Sequence, residues 1–269
     1  MPTKLEYMKF GEWSNIYGPV MYLTAGRTKL LILNTLVAAQ DLLEKRSVIY
    51  SNRPHLTMLM DVIGWDWSVA LMNLGKQFSK HRRIIHKGLT ADVQHFQEIQ
   101  EQETAQLLIH LKEKPTEFME QIEFWAKAIT LRIAYGYRPS SNNDHYIWLA
   151  QQCANAISET GRPGAFWVDS FPLLRLVPKW IPGAGFKHKA AAWGSIVKEV
   201  LESPMQYALD NMQGPAVQKS YVGTLLRMNS QNELGKVNEI QAIKETAAIV
   251  HTAGSESVGI LSKALKTRP

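Results

Sequence analysis

The chain of 269 residues contains a single cysteine, Cys153. It can form no disulfide within itself, which fits a reducing compartment. No window approaches the ~18 to 20 apolar residues needed to span a bilayer. The longest candidate, LLILNTLVAA, reads as a strand entering a helix. The opening MPTKLEYMKF lacks the apolar run and small-residue cleavage site of a signal peptide. There is no N-x-S/T acceptor, no H-E-x-x-H or other paired histidine spacing for zinc, no G-x-S-x-G elbow, no P-loop and no G-x-G-x-x-G fingerprint. A hydrolase, a kinase and a classical dehydrogenase therefore find no support. Cys153, in LAQQCANAI with neither basic flank nor glycine loop, reads as an inert buried thiol. An excess of one charge is also missing: 30 lysines and arginines against 24 acids give +6, with no arginine-rich arm. Nucleic acid is not an expected partner, and an anionic membrane surface is at least as good a match.

What is present is an ordinary globular balance, 45% hydrophobic and 20% charged residues, enough to bury a sizeable core in one large domain or two small ones. Residues 3–16 place Leu5, Met8, Phe10 and Trp13 at helical spacing before Tyr17-Gly18-Pro19 ends the run. VMYLTA and KLLILN, split by Gly26-Arg27, read as a hairpin. Residues 35–50 return to a helical period, with Leu36, Ala39, Leu42 and Leu43 on one face. Residues 55–74 hold three methionines and two tryptophans without a lysine or arginine. That is an apolar loop or short distorted helix, either covering the core or lining a pocket for an apolar ligand. Helices are expected near 76–90, 92–113, 117–138 and 144–160. An apolar loop over 161–186 follows, with four prolines, two tryptophans and three phenylalanines. Then come a helix near 187–212, bent at Pro204, and a last helix from Asn238. Asn238 and Gln241 resemble a capping box, and Ile240, Ile243, Ala247, Val250 and Gly254 trace one face. Strand signals are confined to 19–34, so the fold class is mainly α with a small N-terminal β-sheet.

Two stretches carry candidate chemistry. In HTAGSESVGI, residues 251–260, a glycine, a carboxylate and two serines interrupt an apolar helix. Glycine weakens a helix by about 1 kcal/mol relative to alanine, and Ser255 and Ser257 can bond back to carbonyls one turn earlier. Together they point to a local opening of the helix, with Glu256 as a proton relay or a buried acceptor; a kinked helix with a solvated carboxylate is the plainer alternative. In KQFSKHRRIIHKGL, residues 76–89, Phe78, Arg82 and Ile85 fall at 0, +4 and +7, which puts an arginine on an apolar, inward face. An inward arginine needs an anion. A protein carboxylate would serve, as would a carboxylate or phosphate of a ligand.

Taken together and in order, these segments resemble a cytochrome P-450 of the fungal microsomal type. FGEWSNIYGPVMYLTAG resembles the family's first helix and strand, LLEKRSVIYSNRPHL the helix after the first hairpin, LGKQFSKHRRIIH the W-x-x-x-R helix, and AGSES the oxygen-binding motif of the long central helix. The resemblance implies that Arg82 pairs with a haem propionate and that Phe78 stands where the family has a tryptophan, losing its N–H donor. It implies that Ala253 and Gly254 lie where the central helix opens over the haem, and that Glu256 and Ser257 form the acid–alcohol pair that delivers protons. Residues 55–74 become the substrate-recognition loop. Residues 161–186 become a mobile lid dipping into the membrane interface, with Trp167, Trp180, Lys179, Lys187 and Lys189 suited to it.

The resemblance also implies haem iron, electrons from NADPH through a flavoprotein reductase, an apolar small-molecule substrate, and residence on the cytosolic face of the endoplasmic reticulum membrane. It covers the N-terminal half of the family fold, as one partial domain over 1–269 cut within the central helix. The axial F-x-x-G-x-R-x-C-x-G loop does not occur, so no metal ligand is assigned, and Glu159-Thr-Gly-Arg162 matches E-x-x-R by letter but in the wrong order. The expectation is a chain inactive by itself that does not retain haem and leaves an apolar face, including Ile260 and Leu261, in water. The alternative is a non-catalytic module that binds lipophilic ligands or the membrane interface.

Overall fold

The structure, a computed structural model, describes the backbone of residues 6–25, 28–161, 164–234 and 239–266, and their side chains except at 25, 28 and 255–266. The chain opens with α1 (Glu6–Tyr17). Gly18, left-handed at φ 91°, ends it and turns the chain into the expected hairpin. Strands β1 (Val20–Ala25) and β2 (Thr28–Leu33) pair antiparallel, Val20 opposite Leu33. The single helix expected over 35–50 is instead three short pieces: α2 (Leu36–Ala39), a π-helical turn (Gln40–Glu44) and α3 (Ser47–Tyr50). None of their residues is buried. Among the described residues nothing buries the periodic leucines fully, and most of a helix's stability comes from such packing.

Residues 55–74 form a distorted π-helix, Met58–Ile63, closed by left-handed Gly64, and then a loop that buries Trp65 and Trp67. The helical body follows with bounds close to expectation: α4 (Lys76–Thr90), α5 (Val93–Glu113), α6 (Phe118–Tyr135) and α7 (His145–Thr160). The side chains of Asp92 and Asp144 cap α5 and α7, and left-handed Gly136 stops α6. The apolar loop contains α8 (Trp167–Ser170) and a 3-10 turn, Pro172–Leu176. Helix α9 (Gly185–Asp210) runs through a buried Pro204 without ending there. Short α10 (Pro215–Gln218) leads to α11 (Tyr221–Ser230), capped by Ser220, and to the long α12 (Ile240–Lys266). The expected capping box at Asn238 lies outside the described residues.

Helix α12 packs most extensively on α6 and also touches α4, α7, α9 and α11. Its face of Ile243, Ala247 and Val250 joins Leu131, Tyr221 and Leu225 in the largest core cluster, whereas Ile240 is exposed. A second cluster lies beneath the two apolar loops and includes Met58, Trp65, Trp67, Cys153, Val168 and Ala248. A third joins Phe96 and Ile99 of α5 to Ile129 and Ile133 of α6. Each such side chain contributes on the order of 1.5–3 kcal/mol by leaving water.

Candidate functional site

Helix α4 carries the basic stretch, but its inward face is not the one expected. His81, Ile84 and Gly88 point into the core, while Phe78 and Ile85 are half-buried and Arg82 is exposed. Consecutive isoleucines, Ile84 and Ile85, make two faces of this helix apolar. The face that wins is the one where Gly88 admits the Tyr221 ring: a Cβ at Gly88 would lie 2.2 Å from Cε2 of that ring. The Arg82 guanidinium sits 5.6 Å from the centroid of the Phe78 ring, a cation–π arrangement. Its cationic neighbours are engaged. Lys80 pairs with Glu239 at 2.6 Å, Arg83 donates to the Leu234 carbonyl at 3.4 Å and Lys87 to the Glu233 carbonyl at 2.6 Å. Among the described residues, no carboxylate lies within ion-pair distance of Arg82.

Helix α4 meets α12 through His81, whose Nε2 lies 2.7 Å from Glu245 Oε2, both groups being buried. Along α12, Ala253 stands eight residues beyond Glu245, about 12 Å at the rise of an α-helix, and it is exposed. Gly254 faces the other way. A Cβ built there would come 2.6 Å from Thr130 Cγ2 of α6. The expected opening of the helix is not seen: α12 is a continuous α-helix from Ile240 to Lys266. Gly254 serves close approach of two helices, which requires no break in the backbone ladder. Among the described side chains of α12, Thr246 bonds back to Ala242 and Thr252 to Ala248, each at 2.7 Å. The side chains of Ser255, Glu256, Ser257, Ile260 and Leu261 lie outside the described residues.

One turn before Gly254, His251 is fully enclosed. Its Nε2 lies 3.4 Å from the Tyr146 carbonyl and its Nδ1 3.3 Å from the Thr130 hydroxyl. Burial holds its ring well below the usual imidazole range, down to about 4. Cys153 is buried in the second cluster, and burial pushes its thiol up to about 12. A neutral thiol in that setting is no metal ligand. Glu159 is committed to Lys189 at 3.1 Å, and Arg162 lies outside the described residues.

The two apolar loops meet beside this helix pair. Asp169 Oδ1 accepts from the Met58 amide at 2.8 Å, and Arg175 reaches Asp61 at 2.8 Å. The stacked indoles of Trp65 and Trp67, with centroids 5.1 Å apart, bury both N–H groups without a partner among the described residues. On the outer side Trp167, Leu173, Leu176 and Trp180 are more than 70% exposed. Of these, Trp167 lines an apolar cleft of about 410 Å³ together with Phe166, Leu174, Ile181 and Phe186. Among the described residues no helix is long and apolar enough to cross a membrane. Sequence reasoning missed His81, Glu245, Thr130 and His251. The only local hint was the spacing of His81, Ile84 and Gly88, which competes with Phe78, Arg82 and Ile85 on the same helix.

Comparison with known proteins bears on this geometry. A family model described as Cytochrome P450 matches residues 4–258. "Cytochrome P450 monooxygenase COX2" of Coprinopsis cinerea is 31% identical over 260 residues, covering 96% of this chain and 49% of that protein. "Tryptamine 4-monooxygenase" of Psilocybe cyanescens is 32% identical over 261 residues, covering 96% of this chain and 51% of that protein. The chain spans about half the length of the curated relatives it matches. A zebra fish cytochrome P450 solved with progesterone shares the fold, with a TM-score of 0.67 at 17% identity over 95% of this chain and 57% of that one.

Proposed function

Because the chain belongs to the cytochrome P450 family, we propose that it supplies one side of the haem pocket of a monooxygenase that inserts an oxygen atom from dioxygen into an apolar substrate. The observation that carries this reading is Arg82: a cation without a carboxylate partner among the described residues, held over a ring on the exposed flank of α4. Haem, when bound, supplies activation of dioxygen at its iron. The residues present fit one edge of that group. Arg82 is free to pair with a propionate, and the Phe78 ring restrains the guanidinium while donating nothing itself. Exposed Ala253 has only a methyl group and leaves space on α12. The residues do not fit the iron, since Cys153 is buried, neutral and enclosed by apolar side chains.

The remaining roles rest on the resemblance. Glu256 and Ser257 would be the acid–alcohol pair that delivers protons. The Met58–Ile63 turn and the Trp65–Trp67 pair would bound the substrate, with Asp169 and Arg175 holding the lid against them. Electrons would come from NADPH through a flavoprotein reductase at the endoplasmic reticulum. The test is to titrate the chain with haemin, reduce it and add carbon monoxide. Haemin is expected to associate only weakly, too weakly to be retained, and without a thiolate-type Soret shift, and Arg82→Ala to weaken that association about tenfold, the scale of one charge-assisted hydrogen bond. A thiolate-type spectrum with turnover would refute the exclusion of Cys153, and unchanged haemin affinity in Arg82→Ala would refute the clamp.

The apolar rim of the lid favours a second reading, in which this chain also rests on a membrane interface. Two exposed tryptophans and two exposed leucines stand near Lys179, Lys187 and Lys189, the composition of an interfacial anchor. Flotation with anionic liposomes should recover the chain, and Trp167→Ser with Trp180→Ser should abolish recovery. A chain that stays at the bottom of the gradient contradicts this.

A further inference from the structure

Among the described side chains, helices α4 and α12 are joined by a buried polar contact between residues 164 apart in sequence. His81 is 2% exposed and Glu245 8%. The Nδ1 of His81 lies 2.9 Å from the Gln77 carbonyl oxygen, and the Nε2 lies 2.7 Å from Glu245 Oε2. A carbonyl oxygen only accepts, so Nδ1 carries a hydrogen. The other carboxylate oxygen, Oε1, accepts from Gln241 at 2.7 Å. A neutral ring with its hydrogen on Nδ1 would set a lone pair against a carboxylate at Nε2. The contact is attractive only with a further hydrogen between Nε2 and Oε2. Imidazole is ordinarily a stronger base than a carboxylate, which places that hydrogen on the ring. Of the neighbouring charges, Lys80 is paired with Glu239 and Lys244 with Glu202, and the Arg82 guanidinium lies over the Phe78 face.

The isoleucines alone do not fix how α4 is rotated: Ile84 and Ile85 are adjacent, and a rotation of about 100° would exchange one for the other. The approach of Gly88 to the Tyr221 ring opposes that rotation sterically at one end of the helix. Such a rotation would swing Arg82 away from its place. A directional charged contact does discriminate between the two settings, and fixing one register is the best-attested use of a buried polar pair. We propose that His81 and Glu245 form a positioning pair, an imidazolium–carboxylate contact that sets the rotation of α4 on α12 and so holds Arg82 at a fixed place relative to Ala253. Its functional meaning rests on the haem reading of Arg82, whereas the pair itself does not.

The first test is nitrogen-15 NMR of histidine-labelled chain at neutral pH, with the His81 signal assigned by its loss in His81→Gln. Both ring nitrogens of His81 should show the protonated signature. A neutral-ring pattern in the parent chain overturns the proposal whatever the variants do. The second test separates positioning from folding. Spin labels at His86→Cys on α4 and Ile240→Cys on α12 should give one narrow distance, Cys153 being too enclosed to label. His81→Leu and Glu245→Leu singly should each lower the folding equilibrium constant 10²-fold or more, because each strands a buried group. The double replacement His81→Leu/Glu245→Leu should recover most of that loss yet give a broadened or displaced distance. A folded double variant with the parent's narrow distance overturns the pair and leaves the haem reading standing. Unchanged haemin affinity in Arg82→Ala, with the pair's signatures intact, overturns the haem reading alone.

Discussion

The first 50 residues and the helical body obey the same local rules and reach different ends. In the stretch from α1 to α3, Met21 is the only buried residue among the described side chains. Tyr7, Ile16, Tyr17, Leu36, Val37, Val48 and Ile49 are all more than two-thirds exposed. Its more extensive contacts are internal, α1 with β1, β1 with β2, and β2 with α2. From Thr57 onwards three core clusters form, and α12 packs on five other helices. The join between the regions is polar: the Arg53 amide donates to Asn73 and the Leu74 amide to Asn52. Secondary structure in the first region is therefore written by propensity and turn chemistry, and in the second it is fixed by burial.

The same substitution made in both regions should show this difference at its largest. Leu225 is fully buried in the main cluster, and Leu36 is 72% exposed. Leu225→Ala should lower stability by about 2–5 kcal/mol through lost burial and a residual cavity. Leu36→Ala should stay within about 0.5 kcal/mol. Urea denaturation followed by far-UV circular dichroism measures both, and equal losses would mean that the first region is covered in solution.

Acid should act on the body alone. His251 titrates near 6.5 when unfolded and is held down to about 4 when folded, chiefly by burial. The folded state thus binds this proton less readily than the unfolded chain does. Its stability is complete above about pH 6.5 and declines as pH falls from there to about 4. At 1.36 kcal/mol per pH unit the full loss approaches about 3 kcal/mol. His251→Gln should flatten that part of the stability–pH curve relative to the parent. Hydrogen exchange should report the change on α6 and α12 and leave β1 and β2 unaffected. An unaltered slope in the variant would mean that His251 is hydrated.

How much of this was legible in the sequence follows the same division. The bounds of α4 to α7 could be read because Pro115 and the run Pro139-Ser-Ser-Asn-Asn separate the periodic stretches locally. The hairpin could be read from period-two runs. The 35–50 helix was misread because Leu36, Ala39, Leu42 and Leu43 specify a face but cannot supply a surface for it. At the candidate site, the family and the helix of Arg82 were legible as motifs, whereas the rotation of that helix was not, since Ile84 and Ile85 support two settings equally. The contacts that decide it, His81 with Glu245 and Gly88 with Tyr221, are separated by 164 and 133 residues. No single sequence without its fold brings them together. Gly254 was read as a place where α12 opens, because a glycine's cost in a helix is visible locally and Thr130 beneath it is not.

The smallest effects should reverse sign between the regions. Gly223 lies in the first turn of α11, and a Cβ there would come 2.0 Å from the Val217 carbonyl oxygen, a backbone atom that cannot swing aside. Gly223→Ala should cost about 1–3 kcal/mol through overpacking. Gly11 sits within α1 with nothing inside 4 Å of a Cβ. There alanine meets no obstruction, and helix propensity favours it by up to about 1 kcal/mol. Because α1 buries no residue, this gain should appear as slower amide exchange within α1 and should leave the melt of the body unmoved. If Gly11→Ala raised the global melting temperature instead, α1 would be coupled to the core, and the two regions would be one cooperative unit.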